Sequence, residues 1–226
     1  MTQTHHIPLR RAVTHVVKQV HPDLRTSAES VSLINDMMDD LMNKLAIKIK
    51  QVLDKLKRNN MLHDRHLRTA IHRVLPGELE KHAYLEMNRG ITIASKLLLL
   101  MADPANSKST KKAKVQERKV VRDDFHKWFG VSIPSMNSLL RAHVDKRVKI
   151  DLLVPYALAS VASYVMAEIL ELAGIAAKYH KRSIISPVHV MLAVREDSEL
   201  IKLFRRSVTK KMLIQQKNYH DYIKKY

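Results

Sequence analysis

One stripe constrains this chain more than any other feature. Between residues 27 and 56, apolar side chains fall at Val31, Ile34, Met38, Leu41, Leu45, Ile49, Val52 and Leu56. The steps are three and four, the period of one face of an α-helix. At 1.5 Å per residue such a helix is about 45 Å long. A second stripe, within residues 156–180, runs through Leu158, Ala162, Val165, Ile169, Leu172, Ala176 and Tyr179. Shorter helical segments flank each one: 11–20, 63–74 and 77–100 around the first, 135–143 and 187–195 around the second. Short–long–short, twice, is an internal repeat. A long helix with apolar residues on two sides cannot bury itself between short neighbours. Two such units can pair across their long helices and share one core. The expected fold class is therefore all-α, with the two halves folding as one obligate unit.

Local signals agree with this reading. Glycine occurs only 4 times in 226 residues, which favours helix over sheet. Thr26 with Glu29 fits a capping box at the head of the first long helix. Pro22 ends the segment 11–20, and Pro76, Pro155 and Pro187 sit where a helix can begin without needing their missing N–H. Pro8, Pro104 and Pro134 are expected in or beside connectors. Residues 103–121, with Ser107, Lys108, Ser109, Thr110, Lys111 and Lys112, are polar, basic and weakly periodic, and read as a linker. The expected organisation is a short tail over 1–11, a first unit over 12–102, the linker, a second unit over 122–204 and a basic tail over 205–226.

The formal net charge is +18, so a polyanion is the expected partner. There is no cysteine, hence no disulfide framework and no thiol chemistry. The longest uninterrupted apolar run, 97–102, is far short of the roughly 18 residues of a membrane span. Residues 1–10 lack the apolar core of a signal peptide, and no membrane partner is expected. Gly-rich phosphate loops, nucleophile elbows and paired catalytic carboxylates are missing from the sequence, so neither enzymatic activity nor a cofactor is expected. Among the 13 histidines, His63 and His66 stand three apart, but two ligands are too few for a structural metal site. Met37, Met38 and Met42 are expected in the core, and Trp128 and Phe129 form an apolar anchor leading into the second unit.

Specific words then appear inside these helices. Residues 18–23 read KQVHPD and residues 75–79 read LPGEL, followed by Lys81, His82 and Ala83. Over about residues 12–100 this resembles 2B-type core histones. Residues 167–174 read AEILELAG, with Leu139, Leu140 and Arg141 before and Leu192, Ala193, Val194 and Arg195 after. Over about residues 125–204 this resembles 2A-type core histones. The chain is similar to the fused histone doublets of certain large DNA viruses. The resemblance implies two tandem histone folds paired as an intramolecular dimer. It also implies a nucleosome-core protein of chromatin that packages double-stranded DNA with 3-type and 4-type histone partners, themselves fused or separate. Its setting would be chromatin, in the virion and in a viral factory or host nucleus.

The resemblance also implies where DNA is held. Histone pairs bind by shape and charge, with arginines in the minor groove and helix N-termini facing phosphates. One end combines Arg25, Thr26 and Ser27 with Lys181, Arg182 and Ser183. The other combines Lys146, Arg147 and Lys149 with Lys57, Arg58 and Asn59. Arg147 matches a first-loop minor-groove arginine and Arg141 a phosphate contact of a short first helix. A lone basic pair is ordinarily a solvated surface; here each group falls in a connector between paired helices. The sequence departs from the family at Ile184, Ser135 and Ser138, which stand where the family carries arginines. Fewer anchors imply DNA that unwraps more readily. The familiar C-terminal docking segment is replaced by a basic, Tyr-containing one over 210–226.

An acidic docking surface for basic peptides is implied at Glu78, Glu86, Glu168, Glu171, Asp197 and Glu199. Glu168 and Glu171, three apart, share a helix face. Ser163 and Ser198 thin that surface, standing where relatives carry Glu. The competing function is a histone-fold subunit of a transcription-regulatory complex; a basic helical scaffold that binds polyanions without wrapping is the third. The linker is expected to hold the two halves at high effective concentration.

Overall fold

A computed structural model describes residues 9–55, 61–102, 125 and 129–205. The elements run α1 (Arg10–Val20), β1 (Arg25–Thr26), α2 (Ala28–Lys55), β2 (Met61–Leu62), α3 (Asp64–Val74) and α4 (Gly77–Ala102). The second half continues with α5 (Ile133–His143), β3 (Lys149–Ile150), α6 (Val154–Tyr179), β4 (Ile184–Ile185) and α7 (Pro187–Glu196), followed by a helical stretch over 198–205. Among the described residues the architecture is helical apart from these two-residue strands.

The helix ends follow from local chemistry, with three departures from the sequence reading. The cap of α2 is Ser27, not Thr26: the Ser30 N–H donates to Ser27 Oγ at 3.2 Å, while Thr26 is committed to β1. Pro134 lies beside a connector, as expected, but α5 begins ahead of it. It sits in the first turn of α5, whose cap is Ser132, with Oγ accepting from the Ser135 N–H at 3.4 Å. Leu9, inside the segment read as tail, belongs to the fold: it is buried and its N–H donates to Asn35 Oδ1 at 2.8 Å.

One further reading needs correction. Uninterrupted apolar runs are short, yet α6 is long and apolar enough, by length and composition, to cross a membrane. Small and polar residues break its runs without lowering its mean hydropathy much. The apolar window is 67% buried inside the protein, which accounts for it as a core helix covered on both sides.

The core is one cluster drawing on both halves. It takes Leu33, Met37, Met38, Leu41, Met42 and Leu45 from α2, and Leu158, Val161, Val165, Met166 and Ile169 from α6. The methionines at 37, 38 and 42 are fully buried, as core residues should be. Phe129 is buried too, its ring 4.7 Å from that of Phe125; Trp128 lies outside the described residues.

The halves are also laced at their connectors. β1 runs parallel to β4, with Arg25 opposite Ile184 and Thr26 opposite Ile185. β2 runs parallel to β3, with Met61 opposite Lys149 and Leu62 opposite Ile150. The connector before each long helix thus pairs with the connector after the other. Two glycines make the helix contacts close. Gly90 on α4 faces Ser160 on α6, and a Cβ there would run into the serine hydroxyl. Gly174 on α6 leaves room for the ring of His21, whose Nε2 lies 2.9 Å from the Glu171 carbonyl oxygen.

That last contact joins the end of α1 to α6 across the two halves, and it fixes an expectation. Gly174→Ala should destabilise the fold by about 1–3 kcal/mol, because the methyl overlaps a ring that cannot withdraw without losing its hydrogen bond. Urea unfolding should show a lower midpoint at unchanged slope. In a His21→Ala background the same substitution should cost far less; an equal cost in both backgrounds contradicts the packing argument.

Candidate nucleic-acid interface

The β1–β4 edge brings together the residues expected at one DNA end. The Arg25 N–H donates to the Ser183 carbonyl at 3.0 Å, and the Ser27 N–H to the Ile185 carbonyl at 3.0 Å. Ser30 Oγ, in the first turn of α2, donates to the same Ile185 oxygen at 2.8 Å. Arg25, Lys181, Arg182 and Ser183 are exposed along this edge, with Thr26 and Ser27 half-buried beneath. In their midst Ile184 is 49% exposed, an apolar side chain in a basic row.

The end of α6 shapes this edge. The Lys181 N–H donates to the Lys178 carbonyl and the Arg182 N–H to the Ala177 carbonyl, each at 2.9 Å. Lys181 has φ +54°, so the helix closes with a left-handed residue of the kind usually filled by glycine. A lysine there gives up backbone comfort and gains a cation on the edge. One carboxylate counters the charge nearby: Asp23 Oδ1 lies 3.1 Å from Lys178 Nζ, and that ammonium holds its carboxyl below the ordinary range.

The β2–β3 edge is built differently. The Asp151 N–H donates to the Leu62 carbonyl at 3.0 Å, and His63 Nδ1 lies 3.3 Å from Asp151 Oδ2, so side chains as well as strands cross between the halves. Lys146, Arg147 and Lys149 are exposed here. Lys57, Arg58 and Asn59, expected opposite them, lie outside the described residues. The two expected arginines that are described at this edge, Arg141 and Arg147, are engaged within the protein. Arg141 Nη1 donates to the Val148 carbonyl at 2.9 Å. Arg147 donates from Nε and Nη2 to the two Asp145 oxygens, each at 3.2 Å, and from its backbone N–H to Asp145 Oδ1 at 2.8 Å. The guanidinium beside it holds the Asp145 carboxyl below its ordinary range.

The short helices α1 and α5 each pack against both α2 and α6. Ser135 and Ser138 are on α5, half-buried and exposed. Sequence reasoning missed Arg10 and Arg11, exposed at the head of α1; the signal was there, as adjacent arginines opening an amphipathic helix. His15 of α1 packs over Gly130, just before α5, at a positive φ that glycine adopts without strain.

His63 and His66 act as a helix cap. The His63 N–H donates to His66 Nδ1 at 3.0 Å at the start of α3, and burial lowers the pKa of His66. Among the described residues no group of three His, Cys, Asp or Glu side chains is placed to hold a metal ion.

The expected acidic residues do gather, but part of their charge is spent inside the fold. Glu199 accepts the Glu78 and Leu79 N–H groups at 2.9 and 2.8 Å, capping α4. Asp197 Oδ1 accepts the Glu199 and Leu200 N–H groups at 2.9 and 2.7 Å, starting the 198–205 stretch. Glu78 is paired with Lys81 at 2.6 Å and Glu86 with Arg89 at 3.4 Å. Glu168 is half-buried, and burial together with Glu171 raises its pKa. Tyr164, which sequence reasoning missed, stands among them: burial, then Glu168, with Glu199 and Glu86 behind it, pushes its phenol up. Next to this cluster, Ile175 and Tyr179 of α6 are exposed, Tyr179 by 84%, over a pocket also lined by Leu172, Leu192 and Ala193.

No family model matches this chain.

Lys181 gives the site a two-sided test. Lys181→Gly should raise unfolding stability by about 0.5–1 kcal/mol, since glycine takes the left-handed conformation freely. The same substitution should flatten the salt dependence of duplex DNA binding by about 0.9 in log–log slope, the share of one lost phosphate contact. Urea unfolding and a salt titration of DNA binding read the two effects separately. A loss of stability contradicts the strained-cap reading.

Proposed function

We propose that the chain is a core-histone doublet. A 2B-type fold is followed by a 2A-type fold, the two are paired within one molecule, and together they package double-stranded DNA without regard to sequence. The observation that carries this reading is the crossed pairing of connectors. With β1 beside β4 and β2 beside β3, the connector before each long helix of one half meets the connector after the long helix of the other. That pairing yields two separate edges, each carrying exposed basic residues. The sequence words at 18–23, 75–79 and 167–174 support the same reading.

DNA would be held mostly through phosphates, with the charge supplied by Arg25, Lys181 and Arg182 at one edge and by Lys146, Arg147 and Lys149 at the other. Lys57, Arg58 and Asn59 complete that second group in the proposal. Backbone N–H groups at the edges and the N-termini of α2 and α6 add contacts that read no bases. Arg25 and Arg147 are the candidates for minor-groove insertion. Ile184 offers a phosphate nothing, and Ser135 and Ser138 offer little. The wrapped DNA should therefore open more readily than on a fully furnished particle.

The doublet supplies only the 2B-type and 2A-type roles, so 3-type and 4-type histone partners complete the particle in this proposal. Its place is chromatin, in a virion and in a viral factory or host nucleus. Glu86, Glu168 and Glu171, with the capping pair Asp197 and Glu199 behind them, form a surface for basic peptides, with arginine as the expected anchor. It is narrower than six free carboxylates would make it.

Nuclease digestion is the test. The chain is assembled with 3-type and 4-type histones on random-sequence DNA and treated with micrococcal nuclease. A discrete protected band at or below about 146–147 bp is expected. A continuous smear contradicts wrapping and leaves a polyanion binder of the scaffold kind.

A further inference from the structure

The β2–β3 edge carries a carboxylate where a DNA-facing edge has no use for one. Asp145 follows Val144, the residue that closes α5, and is exposed, as is Arg147 two residues on. Their contact is complete on both sides: two guanidinium N–H groups meet the two carboxylate oxygens in a fork, and the Arg147 backbone N–H meets one of them as well. Lys50 of α2 adds to the positive field around this carboxylate. Arg141, the neighbouring arginine, is engaged separately by the Val148 carbonyl and does not compete for Asp145.

Resting on the DNA reading above, we propose that Asp145 is an intramolecular competitor for Arg147. It occupies the guanidinium in the free protein and makes DNA contact at this edge weaker and more easily reversed than the arginine alone would give. A phosphate oxygen and a carboxylate oxygen present the same geometry to the guanidinium fork, so one displaces the other. Arg147 can leave readily, its side chain being 91% exposed. When it leaves, Asp145 remains beside the path of a polyanion as an uncompensated negative charge. The cost of DNA binding at this edge therefore includes a broken pair and a new repulsion. At the β1–β4 edge the carboxylate of Asp23 is paired with Lys178.

The conservative variant separates the charge from the turn. In Asp145→Asn the amide oxygen still accepts the Arg147 backbone N–H, so the loop keeps its shape while the charge and the second acceptor are gone. Duplex DNA binding by the full chain is measured across a salt series for wild type, Asp145→Asn, Arg147→Ala and the double variant. Asp145→Asn is expected to tighten binding by about two- to fivefold at moderate salt and to steepen the salt dependence toward one more phosphate contact. In the Arg147→Ala background the same change should gain much less. Unchanged or weaker binding by Asp145→Asn overturns the proposal. So does an equal gain in both backgrounds, which assigns Asp145 a general repulsion and no hold on Arg147. Absence of DNA binding by the wild-type chain removes the DNA reading itself and this proposal with it.

Discussion

Everything in this molecule depends on apolar surface that neither half can cover by itself. α2 buries residues on two sides, Leu33 and Met37 as well as Ile34 and Met38, and α6 is buried along most of its length. The flanking helices of the second half do not cover α6 by themselves; α4 and α1 of the first half pack along it. Burial of apolar area is the dominant favourable contribution to folding, and here it is available only when the two long helices share one core. The two strand pairs then follow as a geometric consequence. When the long helices cross, the connector before each arrives beside the connector after the other, and their backbone groups bond to each other.

That same crossing concentrates charge. Connectors must stay at the surface, where their side chains can be polar and basic. Bringing them together in pairs turns scattered lysines and arginines into two defined edges. Within those edges the molecule trades fold comfort against charge in opposite ways. At the β1–β4 edge a lysine sits in a backbone conformation suited to glycine. At the β2–β3 edge an arginine is held by its own carboxylate neighbour. The acidic face shows a third trade, since Asp197 and Glu199 serve helix ends before they can serve a partner.

Much of this was legible in the sequence. The period of three and four gave α2 and α6, since burial on a helix face leaves a record in residue type at each turn, while α4, as long as α6, was read only as a shorter flanking segment. The pairing of Arg25 with the 181–183 segment was legible through resemblance to a family rather than through any local signal. What the sequence hid was side-chain choice at helix ends. Thr26 and Ser27 are both good caps, and only the strand pairing of Thr26 with Ile185 leaves the task to Ser27. Pro134 fits a connector or a first turn equally well until Ser132 is seen to cap α5. Glu199 as a cap for α4 joins residues far apart in the chain, and nothing near it in sequence announces that role. The membrane-like apolarity of α6 escaped because interrupted runs were discounted, although a mean over the helix detects it.

The central claim is that the halves form one cooperative unit, and cutting the chain between them tests it most directly. A protease site placed within residues 103–121 allows cleavage after folding, and urea unfolding is then followed over a hundredfold range of protein concentration. The uncut chain should unfold in one transition whose midpoint ignores concentration. The cut chain should keep its helical signal, yet its midpoint should fall on dilution, because pairing has become bimolecular. A midpoint that stays fixed in the cut chain, with the halves separating as stable folded pieces, contradicts the shared core.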